Sequence, residues 1–589
     1  METRLAKIIC ITLIVGAVLC RKLDFSNLRN EMKESETFEK FMETYVGKDS
    51  GIRFFTYQNV VDLLHNIDSQ FTFTRVSSIG KTYEEREMLL LTIGENFQKF
   101  EEGDPKDNPP AILLTSAHHA REVVGVTMNL YVVLSLLYNS VHEDRETLAL
   151  LENHTFYSLP LVNVDGYYLV SKEWEESNLF NYVRKNRRDS GGCDKNSLGV
   201  DLNRNYGFMW ALDNVGSSSQ KCQEDYRGAS PFSEPETQAV RDFILASDHN
   251  VKIAINFHTF GNLFIIPFNY DDQWNTKMVE KPIYAMYENI RDEGNLPKEM
   301  QFGNGMQTIK YKANGDATDW MSTQNDMISI SPELGTKSRT SDRFLPFMDF
   351  VKPIVQQNYP WINYTMHKLS AQIDVRVIKY EKEICMIENC TMEDKEFQKF
   401  FIQIQAQNLG FSPVQNVKVK VIVDKGIKVI LPTDQEGKFS KSHELTYPSL
   451  ASLESNVWKL IVEVPTNKWK DMNSGSVIGK NQQSFLTLES DRYPLLSSSE
   501  KNTRVLSVAS IVAASGYHPE KIFDVSLLYY LFFGFIILVF VVSFAIYWFM
   551  KRKSNGRIDL EGRKHKELEL GMYRANPVKN DDKSQSSSD

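Results

Sequence analysis

A histidine and a glutamate stand three residues apart in Ser116-Ala117-His118-His119-Ala120-Arg121-Glu122, directly after the short apolar run Ala111–Thr115. If the backbone turns helically there, His119 and Glu122 share a face and aim two ligand atoms at one ion. His118 lacks such a partner, because Arg121 occupies the third place after it. His258 ends a second apolar run, Ala254-Ile255-Asn256-Phe257-His258, and Glu333 ends a third, Ser329-Ile330-Ser331-Pro332-Glu333. Taken alone, His258 reads equally well as a satisfied core histidine. Taken together, two imidazoles and one carboxylate leave a fourth tetrahedral position for water, the pattern of a catalytic rather than a structural zinc. Glu333 is then free to act as base, taking a proton from water and returning it to a leaving amine while the metal polarises a carbonyl.

Between these residues lie Arg184-Lys185-Asn186-Arg187 and Gly199-Val200-Asp201-Leu202-Asn203-Arg204-Asn205-Tyr206. A forked guanidinium next to an amide donor suits bidentate grip of a planar carboxylate. A chain terminus is one such carboxylate.

The elements that must position these groups alternate. From 57 to 368, short β-branched apolar runs alternate with longer amphipathic segments, which predicts an α/β domain with a mixed, mostly parallel sheet flanked by helices. Ala111–Thr115, Phe156–Val162, Ile253–Phe257 and Met327–Ser331 read as buried strands, and Val123–Tyr138 and Glu234–Ser247 as helices. The three candidate ligand groups therefore sit at strand ends, where open α/β sheets place their sites. From 371 to 510 the pattern changes to alternating runs such as Phe400–Gln405, Val417–Val423 and Val457–Val464, which predicts a β-sandwich-like domain.

Residues 1–20 carry Arg4 and Lys7 ahead of an apolar stretch, the pattern of a signal peptide. A segment over 21–56 leads to the α/β domain. Val525–Met550 carries no charge and is followed by Lys551, Arg552 and Lys553, which predicts one membrane-spanning helix with a cytosolic tail over 551–589. The expected topology is a single-pass type I membrane protein with its folded part outside the cytosol, at the plasma membrane or in an endolysosomal or secretory membrane. Of six cysteines, Cys193, Cys222, Cys385 and Cys390 fall in the exported part. Local spacing favours Cys193 with Cys222 and Cys385 with Cys390, though four cysteines allow three pairings. Sequons at Asn153, Asn363 and Asn389 fit export. A net charge of −9 over 589 residues leaves no broad basic surface, which argues against nucleic acid as a partner.

His119-Ala120-Arg121-Glu122, Arg184, Asn203-Arg204, His258, Tyr311 and Glu333 occur in the order and approximate spacing of the zinc metallocarboxypeptidase family, and the chain most resembles its A/B branch. The resemblance covers about 57–368. It implies one zinc held by His119, Glu122 and His258, with Glu333 as general base and acid and Arg184 stabilising the oxyanion. It further implies that Asn203 and Arg204 hold the terminal carboxylate of a peptide, that Tyr311 closes over it and that Arg121 serves a neighbouring subsite. Asp201 matches the position that orients a zinc-ligand histidine. Cys193 and Cys222 bracket the Asn203-Arg204 motif as a disulfide does in secreted members. By the same resemblance Met306, Ala313, Asp316 and Thr318 line the pocket for the released side chain, with Asn269 at its edge; Asp316 either meets a basic side chain or caps the turn after Asn314-Gly315. Two departures stand out. Phe260 replaces a tyrosine of the digestive members, and 21–56 is much shorter than their inhibitory prodomain. The expected activity is hydrolysis of C-terminal peptide bonds; the rivals are a membrane-anchored pseudoenzyme that holds peptide tails and a surface module whose function lies in the β-rich part.

Overall fold

The computed structural model describes residues 23–46, 54–97, 108–371 and the strands between 373 and 507, apart from short stretches within these spans. The expected signal peptide, membrane-spanning helix, tail, Cys385, Cys390 and Asn389 lie outside the described residues.

Two short helices open the described chain, α1 (Leu28–Glu34) and α2 (Phe38–Glu43), the second capped by the Thr37 side chain on the Lys40 amide. Then follow α3 (Tyr57–Gln70), started by a reciprocal capping box between Thr56 and Asn59, and the antiparallel pair β1 (Thr74–Lys81) and β2 (Glu87–Ile93). The α/β repeat continues with β3 (Ala111–Ser116), α4 (Val123–Val141), α5 (Arg145–Asn153), β4 (Thr155–Leu159), α6 (Val164–Ser177), α7 (Pro235–Leu245), β5 (Val251–Thr259) and β6 (Leu263–Ile265). It ends with α8 (Pro282–Glu293), β7 (Gln301–Gly303), α9 (Ala317–Ser322), β8 (Ile328–Leu334) and α10 (Met348–Met366). One eight-stranded sheet in the order β1-β2-β4-β3-β5-β8-β6-β7 carries the domain. Its centre, β4-β3-β5-β8, is parallel, and its flanks bring in antiparallel pairings, so the sheet is mixed.

The central strands are buried on both faces: every residue of β3 and β4 is buried, and all of β5 but Lys252. Such strands read as continuous apolar runs rather than as alternation. Helix α4 packs on β3 and β5 and is buried from Val123 through Tyr138. Among the described residues it is the one helix long and apolar enough to cross a membrane, and it is a core helix. Gly125 permits its close approach, since a Cβ there would lie 2.9 Å from the Phe257 carbonyl oxygen. That contact brings the first turn of α4 against the end of β5, one residue before His258.

Residues 23–46 belong to the same core. Phe25, Leu28, Met32, Phe38, Phe41 and Tyr45 are buried in it, α1 packs on α4 and α3, and the Tyr138 hydroxyl donates to the Ser35 carbonyl at 2.8 Å. The α/β domain therefore extends N-terminal to the expected start at Tyr57, because short amphipathic turns supply the apolar cover that α4 needs. Phe41 is 1% exposed and its ring centroid lies 5.2 Å from that of Tyr45 and 6.1 Å from that of Tyr138. Phe41→Ala is expected to lower unfolding free energy by about 3–4 kcal/mol, read as a drop in denaturant midpoint with unchanged zinc content.

Beyond α10 and a short 3-10 turn (His367–Leu369), the described elements are strands: β9 (Ile373–Lys382), β10 (Phe397–Asn408), β11 (Val414–Val423), β12 (Lys428–Ile430), β13 (Ser442–Leu450), β14 (Ser455–Pro465), β15 (Ser484–Asp491) and β16 (Lys501–Ser507). They form two four-stranded antiparallel sheets, β12-β14-β10-β9 and β13-β11-β15-β16. Phe411, buried in the α/β core, and Ser412 tie this part down through bonds to the Lys368 and Leu369 carbonyls of 2.8 and 2.7 Å.

Candidate active site

Three neighbouring strands, β3, β5 and β8, deliver the candidate residues at their C-terminal ends. The register of β5 and β8 sets His258 directly beside Glu333. After β3 the chain turns through Ala117, whose φ is 53°, and the His119 carbonyl accepts the Glu122 amide at 3.1 Å, which starts α4 with Glu122 as its N-cap.

His119 Nδ1 lies 2.8 Å from Glu122 Oε1, and His258 Nδ1 lies 2.9 Å from Glu122 Oε2. All three residues are buried, and their ligand atoms fall within 4.8 Å of one another. The Thr259 amide donates to Glu122 Oε2 at 3.1 Å and so holds the carboxylate in place. Burial pushes the Glu122 pKa up, but the His119 and His258 rings outweigh it and hold the group well below the usual carboxylate range. The second ring nitrogen of His119, Nε2, meets Asp201 Oδ1 at 3.1 Å, the carboxylate–histidine arrangement that fixes a ligand ring. Two imidazoles and one anionic carboxylate, convergent, buried and braced from behind, fit a zinc ion.

Asp201 is fully buried and serves three groups at once. Its Oδ1 meets His119 Nε2 and accepts the Asn203 amide at 3.0 Å, and its Oδ2 accepts Arg184 Nε and Nη2 at 3.1 and 2.8 Å. Burial works against its charge, yet Arg184 and His119 keep the carboxyl well below its ordinary range. Arg184 in turn stays firmly protonated: burial lowers its pKa, and Asp201 and Glu122 more than restore it. The close approach of the two segments depends on Gly199, whose φ is +95° and where a Cβ would lie 1.9 Å from the Asn186 carbonyl oxygen. There the Asn186 amide donates to the Val200 carbonyl at 3.0 Å, and the Val200 amide donates to Asn186 Oδ1 at 2.8 Å.

Glu333 is half-buried, and its pKa is pushed up to about 8, first by burial and then by the Glu122 charge, against the pull of His258, Arg184 and Arg204. On the other side of His258, Asn203 Nδ2 lies 3.5 Å from His258 Nε2, and Asn203 Oδ1 accepts the first amide of α9 at 2.9 Å. Arg204 is 5% exposed, donates from Nη1 to the Asn203 carbonyl at 2.6 Å, and has a buried Nε without a hydrogen-bond partner among the described residues. An arginine buried with spare donors is a receptor for an incoming anion.

The predicted pocket residues separate. Met306 is half-buried and Ala313 buried, while Tyr311 stands out, 51% exposed. Thr318 is fully buried, its hydroxyl taken by Ser331 and by Asn256 Nδ2. Asp316 caps α9: its Oδ1 accepts the Asp319 amide at 3.0 Å and Asn269 Nδ2 at 3.3 Å. Asn269 also bonds Asp319, whose pKa burial and the Asp316 charge hold well above its usual range. Cys193 and Cys222 are disulfide-bonded. Buried Lys185 ties the loop carrying Cys222 down by donating to the Lys221 and Gln223 carbonyls, each at 2.9 Å.

Sequence reading passed over Gly199, Asn186 and Glu236. Asn186 and Gly199 stood inside motifs already singled out, and a glycine next to Val200-Asp201 was the available signal. Asn186 Nδ2 donates to Glu234 at 2.7 Å and to Glu236 at 3.2 Å; Glu234 is paired with Arg188 at 2.6 Å, whereas Glu236 is met by backbone amides, that of Tyr83 at 3.2 Å among them, and by no cation among the described residues. Burial therefore pushes the Glu236 pKa from its usual 4.5 up to about 7. A raised folded-state value means that folding favours the protonated acid, so this contribution is full below pH 4.5 and is lost as pH rises through about 7. Glu236→Gln is expected to melt at a temperature less dependent on pH in that window, the gap to the parent widening in the variant's favour towards pH 7.

The zinc carboxypeptidase family profile matches residues 60–360, and the chain belongs to this family of zinc-dependent peptidases. Over 319 residues it is 30% identical to a metallocarboxypeptidase A-like protein of Trichophyton verrucosum, covering 52% of this chain and 69% of that one. Over 270 residues it is 30% identical to carboxypeptidase B of Rattus norvegicus, covering 44% of this chain and 57% of that one, so the match spans under three-fifths of the rat protein. Carboxypeptidase A of Helicoverpa armigera, a solved structure, aligns over 57% of this chain and 78% of its own at 25% identity with a TM-score of 0.44.

Proposed function

We propose that this protein is an active zinc carboxypeptidase that releases single residues from peptide and protein C-termini on the exoplasmic or lumenal side of a membrane. The observation that carries the reading is Arg204: a buried guanidinium whose Nε has no partner among the described residues, bonded to Asn203, which itself lies 3.5 Å from His258, is a receptor for a terminal carboxylate. Zinc held by His119, Glu122 and His258 supplies Lewis acidity that polarises the scissile carbonyl, eases deprotonation of water and favours the charged form of Glu333.

The chain's own residues do the rest. Arg204 and Asn203 fix the end of the substrate, which sets the reacting carbonyl in one place. Glu333, beside His258 by strand register, takes the proton of the attacking water at its carboxylate and delivers it to the leaving amine. Arg184, oriented by Asp201, presents fixed charge to the oxygen that becomes negative. Tyr311, exposed on its loop, closes over the bound end and excludes water. Because Asp316 is spent on capping α9 and on Asn269, the pocket prefers a neutral apolar residue and accepts a basic one less well.

The same reading includes a signal peptide over 1–20, a β-sandwich within 371–510, one spanning helix over 525–550 and a type I orientation. Of the two sequons among the described residues, Asn153, exposed at the end of α5, is more open to glycosylation than half-buried Asn363. The test is the full-length chain expressed in a secretory host, with its zinc content measured beside release from blocked dipeptides ending in Phe, Leu, Lys or Glu. About one zinc per chain with Phe and Leu released fastest is expected; a folded, zinc-loaded protein that releases nothing would make it a holder of peptide tails.

A further inference from the structure

On the solvent side of the site, two cations flank a pair of rings. The Arg121 guanidinium lies 4.5 Å from the Phe344 ring centroid, Phe344 meets Phe260 edge-on at 5.2 Å, and the Arg343 guanidinium lies 4.8 Å from the Phe260 centroid. The ladder is anchored at the ligands themselves, since Arg121 stands between His119 and Glu122 and Phe260 two residues after His258. It opens outward: Arg343 is exposed, as is Tyr182, whose ring lies 6.4 Å from that of Phe344. A guanidinium stacked on a ring face is held by that face and keeps its in-plane N–H groups for a carboxylate.

Among the described residues Arg121 has one carboxylate partner, and that partner is exposed, while Arg343 has none. Arg121 Nη1 donates to the Tyr182 carbonyl at 3.2 Å and to Glu224 at 3.1 Å, and Glu224 is 59% exposed at its side chain, which makes that pair weak and displaceable. Among the described residues Arg121 Nε is buried without a hydrogen-bond partner, and Arg343 makes no ion pair. Glu224 also shows what this place accepts, because a carboxylate of the chain already sits on Arg121.

Resting on the carboxypeptidase reading above, we propose that the Arg121–Phe344–Phe260–Arg343 ladder selects substrates with an acidic side chain upstream of the scissile bond, within the two residues preceding the one whose carbonyl is attacked. The substrate's end is taken by buried Arg204, so the rest of the chain must leave towards solvent, along the exposed wall. Peptides with Asp or Glu there meet two guanidinium groups; peptides with Lys or Arg there meet like charge. Phe260 contributes a ring face to Arg343 and has no hydroxyl to compete for the bound carboxylate.

The test compares acetylated tetrapeptides ending in Ala-Phe that carry Glu, Ala or Lys at either of the two upstream positions, using full-length protein. The kcat/KM ratio of Glu over Lys is expected to be about tenfold at low ionic strength and to shrink as salt screens the exposed charges. In Arg343→Glu the ratio falls below one, an inversion that misfolding cannot produce. Binding of the same peptides to zinc-loaded Glu333→Gln protein, by competition with a fluorescent peptide, gives a readout without turnover. Equal use of Glu and Lys, or a preference unchanged in Arg343→Glu, overturns the inference while leaving the peptidase reading intact. Glu-over-Lys binding without any hydrolysis by the parent keeps the inference and removes the activity.

Discussion

Glu333→Gln is expected to bind zinc as the parent does and yet to release C-terminal residues about 10³-fold more slowly, close to 4 kcal/mol of lost transition-state stabilisation. Glutamine keeps the shape of glutamate and cannot take a proton at neutral pH. Glu333 does not belong to the ligand cluster of His119, Glu122 and His258, so metal content should not change. The substitution also removes a half-buried acid that burial and the Glu122 charge push up to about 8, so the variant should fold at least as well as the parent. Zinc analysis, a melting curve and a rate on one blocked dipeptide check all three parts. A variant with parental activity would remove Glu333 from the reaction, and one without zinc would make the carboxylate part of the metal site instead.

Asp201→Asn is expected to damage two functions by one change. The carboxylate holds the His119 ring with one oxygen and Arg184 with the other, and accepts the Asn203 amide as well. An amide has one acceptor oxygen, so whichever way the asparagine faces, an NH2 group meets either the Arg184 donors or the Asn203 amide. Loosening the ligand ring should weaken zinc binding about 10- to 100-fold. Misplacing Arg184 should lower kcat by about 10²-fold or more beyond that. The separation of the two effects is the useful part: excess zinc restores occupancy and leaves kcat low. Arg184 also loses its buried counter-charge, so the variant should be less stable by about 3 kcal/mol, visible as a lower denaturant midpoint. Full recovery of kcat in excess zinc would leave Asp201 a role in metal binding alone.

Much of the centre was legible because its parts are local. His119 and Glu122 share a turn, and His258 and Glu333 each end a run whose continuous apolar character marks a strand buried on both faces. Strand ends in an α/β sheet are where side chains converge, so types and spacing pointed to these residues as a candidate set, and the family resemblance assigned their roles. The fate of Asp316 was not legible. Its position after Asn314-Gly315 fits a cap, and its alignment fits a pocket floor; packing against Asn269 and the first turn of α9 engages it as the cap. The packing of the N-terminal residues on the domain carries little signal in the sequence, because helices of seven and six residues show little periodicity. They are ordered by the apolar face of α4, which lies about a hundred residues away in the chain.

The sequence by itself determined the residue types of the site, the strands and turns that carry them and the α/β class, since hydrophobic periodicity and turn chemistry act between near neighbours. Only the tertiary structure decided which groups meet. The register of β5 against β8 that sets His258 beside Glu333, the Gly199 contact that lets Arg184 reach Asp201, the unpartnered Nε of Arg204 and the Arg343–Phe260 stack all join residues that no local pattern links. Their charges and exposures follow from burial and from neighbours distant in the chain, and these exist only once the core has closed around them.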